Sequence, residues 1–136
     1  MKTYVVIDTN VLVSAMLKFQ SVPGEVIDCV FRGELIPLLC DEILAEYKEV
    51  LLRPKFRFRP DAVDTVLKQI VNHGIFMNAA TVDEDFIDPK DVIFYAVVME
   101  KRRSEDDCYL VTGNKKHFPV KPYVVSAKEM LEILKK

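Results

Sequence analysis

The feature that most constrains this chain is its alternation of short apolar runs with amphipathic stretches of helical period. The first run, "YVVIDTN", places Val5, Val6 and Ile7 side by side. β-branched residues without a polar alternate read as a strand buried on both faces. Similar runs recur at Leu35–Cys40, in "CYLVT" and in "PYVVS". Strands separated by helices require a parallel sheet covered on both faces, with right-handed crossovers. The expected fold class is therefore α/β: a three-layer α/β/α, Rossmann-like parallel sheet of four to five strands.

Each element carries its own signals. The first strand is expected over Thr3–Asp8, followed by the helix "LVSAMLKF" with Thr9 or Asn10 as cap. Ser21 caps and Pro23 opens a second helix that ends at Gly33. Asp41 is expected to cap "EILAEYKEVLLR", which Pro54 stops. A helix follows over about Pro60–Asn72, closed by Gly74 as the left-handed residue past its end. A third strand is expected near Met77–Val82. Asp88 caps and Pro89 opens a helix so apolar that it belongs at the centre of the molecule. Ser126 caps the last helix, "AKEMLEILKK".

Composition narrows the class. The 136 residues are 50% hydrophobic and 29% charged, enough for a real core and too apolar for disorder. One domain over residues 1–136 is expected. No apolar run is long enough to cross a bilayer, and the N-terminal run is short for a signal peptide, so no membrane role and a cytoplasmic location are expected. Cys29, Cys40 and Cys108 form no CxxC pair and read as small buried hydrophobes. Net charge is −2, so global charge does not announce nucleic acid. The distribution is more telling: "RPKFRFRP" holds Arg53, Lys55, Arg57 and Arg59 with no acid between them.

In an open parallel sheet, ligands bind beyond the carboxyl ends of the strands, where strand order reverses. Asp8 ends strand one there, and Asn114 follows strand four. Asp106 and Asp107 lie at the opposite end of that strand, about 16 Å away, and are excluded. In the helix after strand two, Ile43, Leu44, Tyr47, Val50 and Leu51 form the buried stripe. Glu46 falls at its edge, whereas Glu42 and Glu49 face water. Glu46 is then either a solvated surface acid or one turned toward the mouth. Asp91 is either a helix-capping acid or a third acid of the same mouth; Asp88 is the better cap. Carboxylates gathered together repel unless a cation neutralises them, and all-oxygen ligands favour Mg²⁺ or Mn²⁺. His73 and His117 show no ligand spacing.

These residues resemble the PIN domain family, and within it the prokaryotic VapC-like ribonucleases that serve as toxins of toxin–antitoxin pairs. The resemblance spans nearly the whole chain, through "VIDTNVLVSA", "EILAEYKEVLLRPKF" and "DPKDVIFYAVVMEKRRSEDDCYLVTGNKKHFP". It implies a metal-dependent endoribonuclease of single-stranded or structured RNA, commonly a homodimer, with a small antitoxin protein as partner. The catalytic, metal-holding acids would be Asp8, Glu46 and Asp91. Asn114 stands where many members carry a fourth Asp; it keeps a ligating oxygen but removes a charge, which leaves open a catalytically weak module that binds RNA or protein. Asn10, Thr112 and Asp88 would orient ligands or waters. Arg53, Lys55, Arg57, Arg59 and Lys115 would contact RNA, with Phe56 or Phe58 stacking on a base; packing of both rings into the core is the competing reading.

Two other classes fit poorly. A phosphatase of the haloacid dehalogenase type needs an acid two residues after Asp8, where Asn10 stands. A response receiver needs an acid pair after strand one, where Asp8 is single.

Overall fold

The computed structural model describes residues 2–86 and 88–135. Ile87, within the expected acidic loop, and Lys136, the last residue of the expected final helix, lie outside them. Five strands, β1 (Tyr4–Ile7), β2 (Ile36–Leu39), β3 (Ile75–Phe76), β4 (Cys108–Val111) and β5 (Val124–Val125), form one sheet in the order β3-β2-β1-β4-β5. All four pairings are parallel. The helices are α1 (Thr9–Leu17), α2 (Val22–Phe31), α3 (Asp41–Leu51), α4 (Pro60–His73), α5 (Val92–Arg102) and α6 (Ala127–Leu134). The α/β/α layering read from the sequence is the fold observed.

The core explains the order. β1 is central and all four of its residues are buried. α5 packs across β1, β2 and β4, while α2 packs on α1, α4 and α6. Crossovers from β1 to β2 and from β2 to β3 advance one way; the one from β3 to β4 returns the other way. With right-handed crossovers this puts α5 on the face opposite to α2 and α4. Phe94, Tyr95, Ala96, Val97 and Val98 of α5 are consecutive and buried, as its nearly continuous apolar sequence requires. Among the described residues no helix is long and apolar enough to cross a membrane.

Local signals explain the element boundaries. Ser21 Oγ accepts from the Gly24 amide, and Ser126 forms a full capping box with Glu129 at α6. Asp41 is not a cap: α3 begins one residue earlier than expected, with Cys40 at the cap position and Asp41 in its first turn. The third strand is Ile75–Phe76, not Met77–Val82. Asn78, Ala79 and Ala80 are poor strand formers, and this stretch instead runs over α5, where the Ala80 amide donates to the Ala96 carbonyl.

Gly74 also differs from its expected role. Its φ is −99°, so it is not left-handed. A Cβ there would lie 2.7 Å from Leu39 Cδ1 and 3.0 Å from the carbonyl oxygens of Ile70 and Pro37. The glycine thus allows the chain leaving α4 to close directly onto β2. Gly74→Ala is expected to lower stability by about 1–3 kcal/mol through overpacking. Urea unfolding should show this as a lower midpoint with an unchanged slope.

Candidate active site

Asp8 leaves β1 at the point where strand order turns from β2 to β4. Its amide donates to the Val111 carbonyl, extending the β1–β4 ladder by one residue. Asp8 occupies the cap position of α1 yet makes no side-chain cap bond. Its carboxylate turns instead toward β4, where the buried Thr112 hydroxyl donates to Asp8 Oδ2 at 2.7 Å. Thr112 Oγ1 in turn accepts from the Asn114 amide at 3.0 Å. Asn10 Oδ1 accepts from the Gly113 amide at 3.2 Å. The segments after β1 and β4 are therefore stitched together by Asp8, Asn10, Thr112 and Asn114. The Asn114 contribution to this stitching is its backbone; its exposed side chain borders the far side of Asn10. Asp107 lies at the opposite end of the ladder, its carbonyl accepting from the Tyr4 amide.

Burial pushes the Asp8 carboxyl up from its ordinary value. Hydrogen bonds from Thr112, Thr9 and Asn10, and the charge of His117, oppose that shift. Asp91 sits at the end of a 3-10 turn, Pro89–Asp91, that leads into α5. Asp88 caps this turn, accepting from the Lys90 amide at 3.0 Å. Asp91 makes no cap bond, so the capping reading of that residue is not the one observed. Its Oδ2 is buried without a hydrogen-bond partner. His117 Nδ1 stands 3.5 Å from this oxygen, close enough for charge attraction and too far for a good hydrogen bond. Burial first, then the charges of Asp8 and Asp88, push the Asp91 carboxyl up to about 6 against the opposing pull of His117. Asp8 and Asp91, far apart in sequence, are thus electrostatic neighbours.

Glu46 is half-buried on α3, while Glu42 and Glu49 are exposed. It shares a cavity of about 310 Å³ with Asp8 and Asn10. Its carboxyl is raised by burial, with Lys90 and Arg53 opposing and Glu49 and Asp8 reinforcing. Its neighbour Tyr47 is fully in the core, and the Tyr47 hydroxyl donates to the Ile7 carbonyl. That bond ties α3 to the last residue of β1. The three acids do not close into a cage: among the described residues no three His, Cys, Asp or Glu side chains stand close enough to hold an ion between them. The charge of Lys90 opposes the upward shift of the Glu46 carboxyl, and that of His117 opposes the shift at Asp91.

The donor set still fits a divalent cation. Asp8 is buried and Asp91 half-buried, the Asp8 charge raises the Asp91 carboxyl, and the shielded Asp91 Oδ2 has no hydrogen-bond partner. Mg²⁺ is commonly held by one or two carboxylates, with water and substrate phosphate completing its shell. Asp8 and Asp91 would hold it, with Glu46 acting from the adjoining cavity wall.

The basic residues divide. Arg53 pairs with Glu49 and lines the cavity of Asp8 and Glu46. Arg59 pairs with Asp61, and Lys115 with Glu129. Lys55 lies over the Phe56 ring, 5.1 Å from its centroid. Arg57 is exposed, adopts a left-handed φ of 57°, and has no ion-pair partner among the described residues. Phe56 and Phe58 are half-buried and stack on each other at 5.7 Å.

Sequence reasoning missed three contributors. His117 shows no ligand spacing in the sequence, although it follows Asn114 by one short turn, Lys115–His117. Lys90 was hidden inside an acidic loop. Tyr47 read only as core, because nothing in a helical stripe tells where a hydroxyl ends.

A pH test follows from Asp91. Folding raises its carboxyl from 3.8 to about 6. The folded chain therefore retains a proton that the unfolded chain releases between about pH 4 and pH 6, and stability falls as pH rises through that window. In EDTA at pH 7, Asp91→Asn should melt a few degrees higher than wild type. Near pH 4 the two should converge. Calorimetry at both pH values checks this.

Residues 4–116 match the family model of the PIN domain. The chain is 28% identical over 117 residues to an uncharacterized protein of Methanocaldococcus jannaschii, covering 84% of this chain and 72% of that one. No solved structure matches. With the family model covering most of the chain and Asp8 at the reversal point of its parallel sheet, this chain belongs to the PIN domain family, whose members are generally nucleases.

Proposed function

We propose that this chain is a Mg²⁺- or Mn²⁺-dependent endoribonuclease acting in the cytoplasm. The observation that carries the reading is the Asp8–Asp91 pair: a buried and a half-buried acid, the charge of the first raising the proton affinity of the second, whose shielded Oδ2 has no hydrogen-bond partner. Such a pair is costly to keep charged without a cation. A divalent ion bound there supplies Lewis acidity toward a phosphate and a more acidic water.

The chain's own residues do the rest. Thr112 fixes the Asp8 carboxylate, and Asn10 is pinned by Gly113, so the floor of the site is rigid before substrate arrives. Glu46 stands on the wall of the same cavity, positioned to accept a proton or to bind a water. Arg53 and the exposed Arg57 offer positive charge to the phosphates on either side of the scissile bond. The motif resemblance supports a role as the toxin of a toxin–antitoxin pair, working as a homodimer and restrained by a small antitoxin protein.

A second reading has its own support. Asn114 removes one charge, and the acids do not form a closed cage. A PIN fold with weak chemistry would then bind RNA or protein. Chelation separates the two, since a binder tolerates EDTA and a nuclease does not.

Asp8→Asn should abolish Mg²⁺- or Mn²⁺-dependent cleavage of defined RNAs, with EDTA abolishing it in wild type; gel analysis of the fragments reads both. Arg57→Glu should weaken RNA binding about tenfold and flatten its salt dependence by close to one charge. Fluorescence anisotropy across a salt series measures this, and an unchanged slope would remove Arg57 from the interface.

A further inference from the structure

One side of the acid mouth is a seam between two elements. Asp91 arrives at the start of α5, and His117 on the turn Lys115–His117 after β4. Their approach, 3.5 Å from Nδ1 to Oδ2, is set by how far α5 stands from the segment after β4.

A third segment reaches into that gap. Residues 81–86 form neither helix nor strand. They run on from the point where the Ala80 amide donates to the Ala96 carbonyl of α5. Phe86, half-buried, places its ring between two others. The Tyr95 ring of α5 lies 5.5 Å from it at 63°, and the Phe118 ring lies 5.9 Å from it at 85°. Both are edge-on contacts of the kind that aromatic quadrupoles favour. Tyr95 and Phe118 are themselves buried. Tyr95 stands about one helical turn after Asp91, and Phe118 follows His117 directly. The wedge thus touches a close chain neighbour of each member of the Asp91–His117 pair.

Polar contacts hold the wedge in. The Tyr95 hydroxyl donates to Glu84 Oε2 at 2.9 Å, so the wedge segment is bonded to α5 two residues before Phe86. The Tyr95 oxygen also lies 3.4 Å from the Tyr123 hydroxyl, which donates to Met99 Sδ at 3.2 Å. Arg102 lies over the Tyr123 ring, 4.1 Å from its centroid. Tyr95, Met99 and Arg102 belong to α5 and Tyr123 to the segment after β4, so these contacts span the same two elements as the wedge.

We infer that Phe86 is a positioning residue for the acid mouth, a wedge that fixes the gap between α5 and the segment after β4 and with it the approach of His117 to Asp91. This rests on the nuclease reading above, in which Asp91 holds a cation together with Asp8, and adds to it a residue that acts from outside the acids. A fixed gap is needed there. The Asp8 charge disfavours a charged Asp91 beside it, and Asp91 sits at a helix end, where fraying is easy. Leucine at position 86 would fill apolar space without offering a ring edge to either neighbour.

The test uses the full chain as wild type, Phe86→Leu and Phe86→Tyr. Amide hydrogen exchange in EDTA reads the gap without metal. Phe86→Leu should speed exchange about tenfold at the Asp91 and Phe118 amides, which donate to the Asp88 and Lys115 carbonyls. The Asp8 amide, bonded to the Val111 carbonyl within the sheet, should keep its wild-type rate. Phe86→Tyr, which keeps the ring, should restore all three. Equal speeding at the three amides would make Phe86 a plain packing residue and overturn the proposal, as would no speeding at all. Calorimetric titration with Mn²⁺ in the absence of RNA reads the cation site. Phe86→Leu should weaken binding about tenfold and Phe86→Tyr should restore it. An affinity unchanged by Phe86→Leu overturns the proposal even where exchange speeds up. If wild type binds no Mn²⁺, the nuclease reading fails on its own, and the exchange rates alone decide the wedge.

Discussion

The hydrogen bond from Thr112 to Asp8 is the constraint on which the site depends. It crosses from β4 to β1, the neighbouring pair at which the strand order reverses. A carboxylate at the end of a fully buried strand would ordinarily be relieved by capping its helix. Here the cap is forgone and the acid is aimed across the sheet instead. Around it stand Asn10, in the first turn of α1, and Asn114, whose amide donates to the Thr112 hydroxyl oxygen, while Asp91 feels the Asp8 charge from the start of α5.

The packing makes this arrangement stiff. β1 has no exposed residue, α5 covers it with five consecutive buried side chains, and Tyr47 reaches from α3 to its final carbonyl. Shifting Asp8 would mean moving the centre of the core, and dense cores resist such movement. By contrast, the surfaces that surround the mouth come from the 3-10 turn at Pro54–Phe56, the Pro89–Asp91 turn and the loop after β4. Rigid acids ringed by short turns is a division of labour common to sites built on parallel sheets.

Much of this was legible in the residues. The period of the apolar runs specifies the parallel sheet, and the helical stripe of α3 separates half-buried Glu46 from exposed Glu42 and Glu49. The carboxyl-end rule excludes Asp107. What escaped depends on tertiary contact. The third strand slid to Ile75–Phe76 because Gly74 lets the chain meet β2 earlier than strand propensity indicates. The proximity of His117 to Asp91 joins segments 26 residues apart, and no local pattern encodes it. The pairing of Arg53, Arg59 and Lys115 with nearby acids likewise follows from side-chain reach, leaving Lys55 and Arg57 as the basic residues of the Pro54–Arg59 loop with no ion-pair partner among the described residues.

The bond from Tyr47 to Ile7 has a consequence for how such a molecule diversifies. Because α3 is bolted to the central strand beside Glu46, the outward side of that helix is free to change residue by residue without disturbing the acids behind it. New recognition surfaces can then arise on an unchanged chemical engine, and relatives with very different outer faces should keep a donor at that inner position.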